Sequence, residues 1–200
     1  MSEWPHDLPT EARRVLDFWF GPPGSPAHGT NRPEWFRKDA VFDASIHEAF
    51  GGLIEQGLRG ELAAWSVAPH SALAEIIVLD QFTRNVFRGT PRAFAGDSRA
   101  LAAARALVGA QQDEALAPVE RSFVYLPFEH AEGMAMQEES VRLYTRLAAI
   151  APQTEEALDY ARRHLVIIER FGRFPHRNQI LGRHSTAEEL EFLQQPGSGF

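Results

Sequence analysis

Apolar residues recur along this chain at spacings of three and four, the period of helices that bury one face. Val15, Leu16, Trp19 and Phe20 form the first such set, with Thr10 placed to cap it and Gly21-Pro22-Pro23 placed to end it. An irregular loop, about 22–33, follows. Asp39 stands where it would cap a second helix bearing Phe42, Ile46, Phe50, Leu53 and Ile54, weakened at Gly51-Gly52. Between His70 and Phe87 the pattern changes, because Leu73, Ile76, Ile77, Val78, Leu79, Phe82 and Val86 cover most of the circumference. A helix without a polar side is a central one. Asp97 is expected to cap an alanine-rich helix with Leu101, Ala104, Leu107 and Val108.

A segment from about Pro118 to Tyr125 comes next, after which Pro127 is expected to break or restart the helix. The run from about Phe128 to Ile150 carries Met134, Val141, Tyr144 and Leu147. Thr154 opens another helix, with Glu155 and Glu156 favourable in its first turn. That helix ends near Phe171-Gly172 and contains Leu165-Val166-Ile167-Ile168, read as a second run that is apolar all round. Ser185 and Glu188 have the spacing of a capping box before Leu190, Phe192 and Leu193. The tail, about 195–200, is expected to fray. No window alternates like a strand between hairpin turns. The pattern predicts an all-α fold of roughly seven to nine helices in a single domain, 1–200.

Composition narrows the class without naming a reaction. The chain is 44% hydrophobic and 24% charged, enough for an ordinary core, and it has no cysteine. Disulfides, thiolate metal sites and cysteine nucleophiles are therefore out. A formal net charge of -7 argues against a protein built to bind nucleic acid, which wants a basic face. No run of about 18 apolar residues and no basic-then-apolar leader occurs, so neither a membrane span nor a signal peptide is expected, and the expected location is cytoplasmic.

Chemistry concentrates where polar residues follow apolar runs. Asp80 and Arg84 share a helix face, as do Gln81 and Asn85. Glu169 and Arg173 share that spacing if the helix continues past Gly172. Glu129 and His130 follow Pro127, and His176, Arg177 and Asn178 form a further cluster. Charges at such positions cost several kcal/mol each to desolvate unless they are paired. One reading is a structural ion-pair network, with Asp80, Glu129 and Glu169 answered by Arg84, Arg173 and Arg177. The other is a pocket at the meeting of the two central helix ends. There the arginines would hold an anionic group, Gln81, Asn85 and Asn178 would supply neutral hydrogen bonds, and His130 or His176 would transfer protons under the orientation of Glu129 or Asp80. An internal echo supports a paired arrangement. Ile76–Phe82 followed by Arg84-Asn85 resembles Val166–Phe171 followed by Arg177-Asn178. Shared helix-ending chemistry explains the echo equally well.

Five strings carry a resemblance: Val15–Gly21, Trp35–Asp39, Leu79–Thr90, Tyr125–His130 and Arg170–Asn178. They are similar to the bacterial domain-of-unknown-function family numbered 924, over about Val15 to Leu193. The resemblance implies a TPR-like α-α superhelix and implies no activity. Thr83 stands where the family pattern has proline, and Ala131 where it has serine.

Other chemistries lack their motifs. His47-Glu48 has no second histidine at zinc-peptidase spacing, and there is no P-loop, no dinucleotide fingerprint and no Gly-x-Ser-x-Gly. No cofactor is expected. A metal held by Glu129, His130, His164 and Glu169 is outweighed by a core role for His164, and Trp19, Trp35 and Trp65 read as core anchors. The favoured expectation is a hydrolase, isomerase or binder of a small anionic metabolite. The alternative is a TPR-like scaffold for a peptide or protein, by analogy of fold alone.

Overall fold

Helix is the sole regular structure among the described residues, 3–199, of the computed structural model. Phe200, the last residue of the expected tail, lies outside them. The α-helices are α1 (Thr10–Phe20), α2 (Ala40–Arg59), α3 (Pro69–Ile76), α4 (Thr83–Val86), α5 (Asp97–Gly109), α6 (Pro118–Glu129), α7 (Met134–Ile150), α8 (Glu155–Phe171) and α9 (Ala187–Phe192). Two compact units can be drawn, the boundary falling within α6 after Pro127.

In the first unit α1, α2 and α5 pack on the continuous helix formed by α3, a π-helical segment (Ile77–Phe82) and α4. Every residue from His70 to Thr83 is buried, as the all-round apolar pattern predicts. The core beside it is aromatic: Phe123 meets Trp35 edge-on at 4.8 Å and Phe20 at 5.4 Å, and Phe82 lies 4.9 Å from Phe50. Trp19 and Trp35 are buried anchors, whereas Trp65 is half-buried.

The π segment has no signature in the hydrophobic pattern. A turn widened by one residue breaks step in the backbone ladder, and side chains answer the carbonyls there. The Thr83 hydroxyl donates to Leu79 O at 2.7 Å, and Arg84 donates to Asp80 O at 2.8 Å. Gly96, just before α5, lies against this turn; a Cβ at 96 would stand 2.1 Å from Leu79 O. No side chain fits in that gap.

In the second unit α7 packs on α8, joined by the short turn Pro152–Thr154. Leu158, Ala161, His164, Ile167 and Ile168 form the buried stripe of α8. Val166 is 59% exposed, so this helix has a solvent side and the expected all-round burial does not hold. Gly172 ends α8 in the left-handed region at φ 67°, its N–H bonding Ile168 O at 2.8 Å.

Several helix ends differ from expectation by one position. Asp39 caps α2 through Val41 and Phe42 N–H, as predicted. Thr10 and Asp97 are instead the first helical residues after Pro9 and Gly96. The capping box is Thr186 with Glu189, not Ser185 with Glu188. Pro127 sits inside α6 without breaking it, two residues before the helix ends. Gln137, fully buried, covers that end by donating to Glu129 O and Ala131 O, both at 2.7 Å. The expected helix from Phe128 therefore starts at Met134, after a bend over residues 130–133.

Candidate functional site

The sequence-predicted polar residues fall into both units. Asp80, Gln81, Arg84 and Asn85 belong to the first; Glu129, His130, Glu169, Arg173, His176, Arg177 and Asn178 belong to the second.

In the first unit the π segment places Asp80 at the centre of a closed set. The carboxylate is fully buried, accepts from Gln81 Nε2 at 2.7 Å and pairs with Arg84 at 2.9 Å. Arg84 also forks onto Asp97, at 2.9 and 3.2 Å. Asn85 donates to Asp43 at 2.7 Å, and Arg88 grips the same carboxylate through two bonds of 3.0 Å. Each guanidinium is thus matched by carboxylates of this chain, with two acids on Arg84 alone. Asp97 and Asp43 were not foreseeable as partners, because they lie 13 and 42 residues from Arg84 and Asn85.

In the second unit His164 is the core histidine expected. Its Nδ1 lies 2.9 Å from Tyr160 O and 3.2 Å from a carboxylate oxygen of buried Glu129, and its ring meets Phe174 edge-on. Burial pushes the imidazole down to about 3, against the pull of the Tyr160 carbonyl, so it is neutral at physiological pH. His130 is half-buried, its ring 6.3 Å from that of His164. Glu169 is exposed. It follows Ile168 by one position, which turns it about 100° away from the buried stripe. It therefore joins no buried cluster. Because α8 stops at Gly172, Arg173 does not share a helix face with it, and instead forks onto Glu189 at 2.6 and 2.8 Å. Arg173 holds the Glu189 carboxyl down at about 2, with the Thr186 N–H adding to the effect.

The loop after α8 and the last turn of α9 border an open cleft of 520 Å³ lined by Pro175, His176, Gln179, Arg183, His184, Ser185, Leu190 and Leu193. Its walls are tied down on all sides. Arg183 binds Glu132 at 2.6 and 2.9 Å and Phe174 O at 3.1 Å, while Glu132 accepts the Phe174 N–H at 2.8 Å. Asn178, buried, donates to Ser185 Oγ at 3.0 Å. Arg173 reaches His184 O at 2.9 Å. His176 is the one predicted catalytic residue on the lining. Burial, then the Arg177 charge, push its imidazole down to about 4. Arg177 does not line the cleft; it is buried with its guanidinium 4.7 Å from the Phe174 ring centre. Arg183, His184 and Ser185 carry the site although the sequence pattern drew attention to Arg177. Their signal was the lack of any acid from 173 to 187. Among the described residues no group of three or more acids and histidines is arranged to hold a metal, and no helix is long and apolar enough to cross a membrane.

An all-α chain with a tied-down polar cleft is the class that fold and site define. The chain belongs to the family described as bacterial protein of unknown function, number 924, which it matches over residues 15–197. It is similar to the solved structure of a protein of unknown function from Agrobacterium tumefaciens, with 38% identity and a TM-score of 0.80. That match covers 92% of this chain and 97% of the other. No curated protein matches it.

Proposed function

We propose that this protein binds a small molecule bearing an acidic group, in the cleft between the loop after α8 and α9. One observation carries the reading. The lining presents hydrogen-bond donors, a guanidinium, two imidazoles and a hydroxyl, and no carboxylate, the Arg183 guanidinium being paired with Glu132. Donors facing a cleft with no competing carboxylate on its lining suit an acidic group. Its volume lies within the roughly 300–1,000 Å³ of small-molecule sites.

The reading is binding and not acid–base catalysis. A general base works best with a pKa near the ambient pH, whereas burial holds His176 at about 4. As a neutral imidazole it serves as a hydrogen-bonding group. The Asp80–Arg84–Asp97 set reads as a structural clamp, because its charges answer one another.

Thermal unfolding at matched ionic strength tests the proposal. Acetate and phosphate at millimolar concentration should raise the melting temperature of the wild type, and raise it far less in His184→Ala, whose side chain is exposed. A ligand at a hundred times its Kd stabilises by about 2.7 kcal/mol, an easily measured shift. Equal shifts in both proteins would mean general salt effects and remove the cleft from consideration.

A further inference from the structure

We infer that the cleft takes an amphiphilic acid, a carboxylate or similar head group on a short hydrocarbon body, rather than a compact inorganic anion. The inference rests on the binding reading above and adds the class of ligand. The lining is divided. Arg183, His184, Ser185, His176 and Gln179 are polar, whereas Pro175, Leu190 and Leu193 are apolar. Leu190 and Leu193 are three positions apart, so they project side by side from the end of α9. Leu190 is 54% exposed, an apolar side chain left facing water at the edge of a concave surface.

A phosphate ion held by the polar side would leave both leucines wet. A hydrocarbon body of several carbons would cover them and gain the hydrophobic contribution that the bare cleft forgoes. A purely apolar ligand fits no better, because it would strip water from Arg183, His184 and Ser185 without replacing the hydrogen bonds. An amphiphile satisfies both sides at once. The walls need no rearrangement to receive it, since Arg173 is locked to Glu189, Arg183 to Glu132, and Asn178 to Ser185.

Calorimetric titration of the full chain with acetate, butyrate, hexanoate and octanoate, and with the alcohols of the same lengths, is the test. Affinity should rise about fourfold for each methylene that reaches the leucines, and each alcohol should bind at least tenfold more weakly than its acid. Leu190→Ser should flatten the chain-length series, with circular dichroism confirming the fold. If acetate and octanoate bind with equal Kd, the amphiphile inference is wrong while a cleft for small acids stands; if acids and alcohols bind alike, the acidic-group reading falls with it. If neither the acids nor inorganic phosphate bind, the binding reading falls and takes the inference with it.

Discussion

Two segments of this chain look alike in sequence and behave in opposite ways in space. Residues 76–90 and 166–183 each run from apolar helix through an acid and a phenylalanine to Arg-Asn and a glycine. In the first, the helix continues through a widened turn, and Asp80 is carried inward to meet Arg84 and Asp97. In the second, Gly172 stops the helix, Glu169 faces solvent, and the later residues fold into a loop that walls a cleft. One glycine and one extra residue in a turn separate a sealed ion cluster from an open polar surface. Similar strings therefore warrant similar chemistry only when the backbone between them keeps the same step.

The comparison can be broken most severely at Gly96. Gly96→Ala puts a methyl group 2.1 Å from the Leu79 carbonyl, a backbone atom that cannot swing aside. We expect a loss beyond about 3 kcal/mol in denaturant unfolding, at or above the usual range for overpacking. A loss under about 0.5 kcal/mol would show that α5 does not press on the widened turn.

The two acids give the sharpest contrast. Asp80→Ala should cost about 3 kcal/mol, the lower end for breaking a buried pair, because Asp97 still answers Arg84. Glu169→Ala should stay within about 0.5 kcal/mol, as for other surface changes. Equal losses at the two positions would restore the symmetry that the sequence suggests.

A smaller effect concerns pH and the second segment's support. His164 has a folded value of about 3, below that of the unfolded chain. Its contribution is complete above about 6.5, the unfolded value, and is lost as pH falls below it. Stability should decline by up to about 1.4 kcal/mol per pH unit from this one proton. Burial raises Glu75 and Glu120, which act in the opposite sense and are common to any pair of variants compared. Between pH 6 and 5, His164→Gln should therefore lose stability more gently than the wild type, by about one proton's slope. Parallel curves would mean that the imidazole is charged in the folded protein.

Much of the fold was legible because buried helices write their period into the chain. The α2 cap at Asp39 and the central position of 70–83 followed directly from it. Burial on every side also conceals detail: a helix that is apolar all round looks the same with or without an extra residue in a turn, so the π segment left no mark. For α8 the opposite error arose. Four successive apolar residues span a full turn, and Val166 among them faces water, which misplaced Glu169. Site residues were harder still, since Asp97 and Glu132 find Arg84 and Arg183 across 13 and 51 positions, and no local spacing encodes such a pair.

The widened turn at Ile77–Phe82 also separates chain length from helix phase. One residue more than a regular helix requires is held there, while the segments on either side keep their packing faces. Losing a residue within that stretch would return the turn to regular pitch and leave α3 and α4 in register. The same loss in the middle of α2 would swing half of its side chains by about 100°. Inside this buried helix there is thus a place where the loss of a residue leaves the helix phase intact, and it is the place from which Asp80 projects.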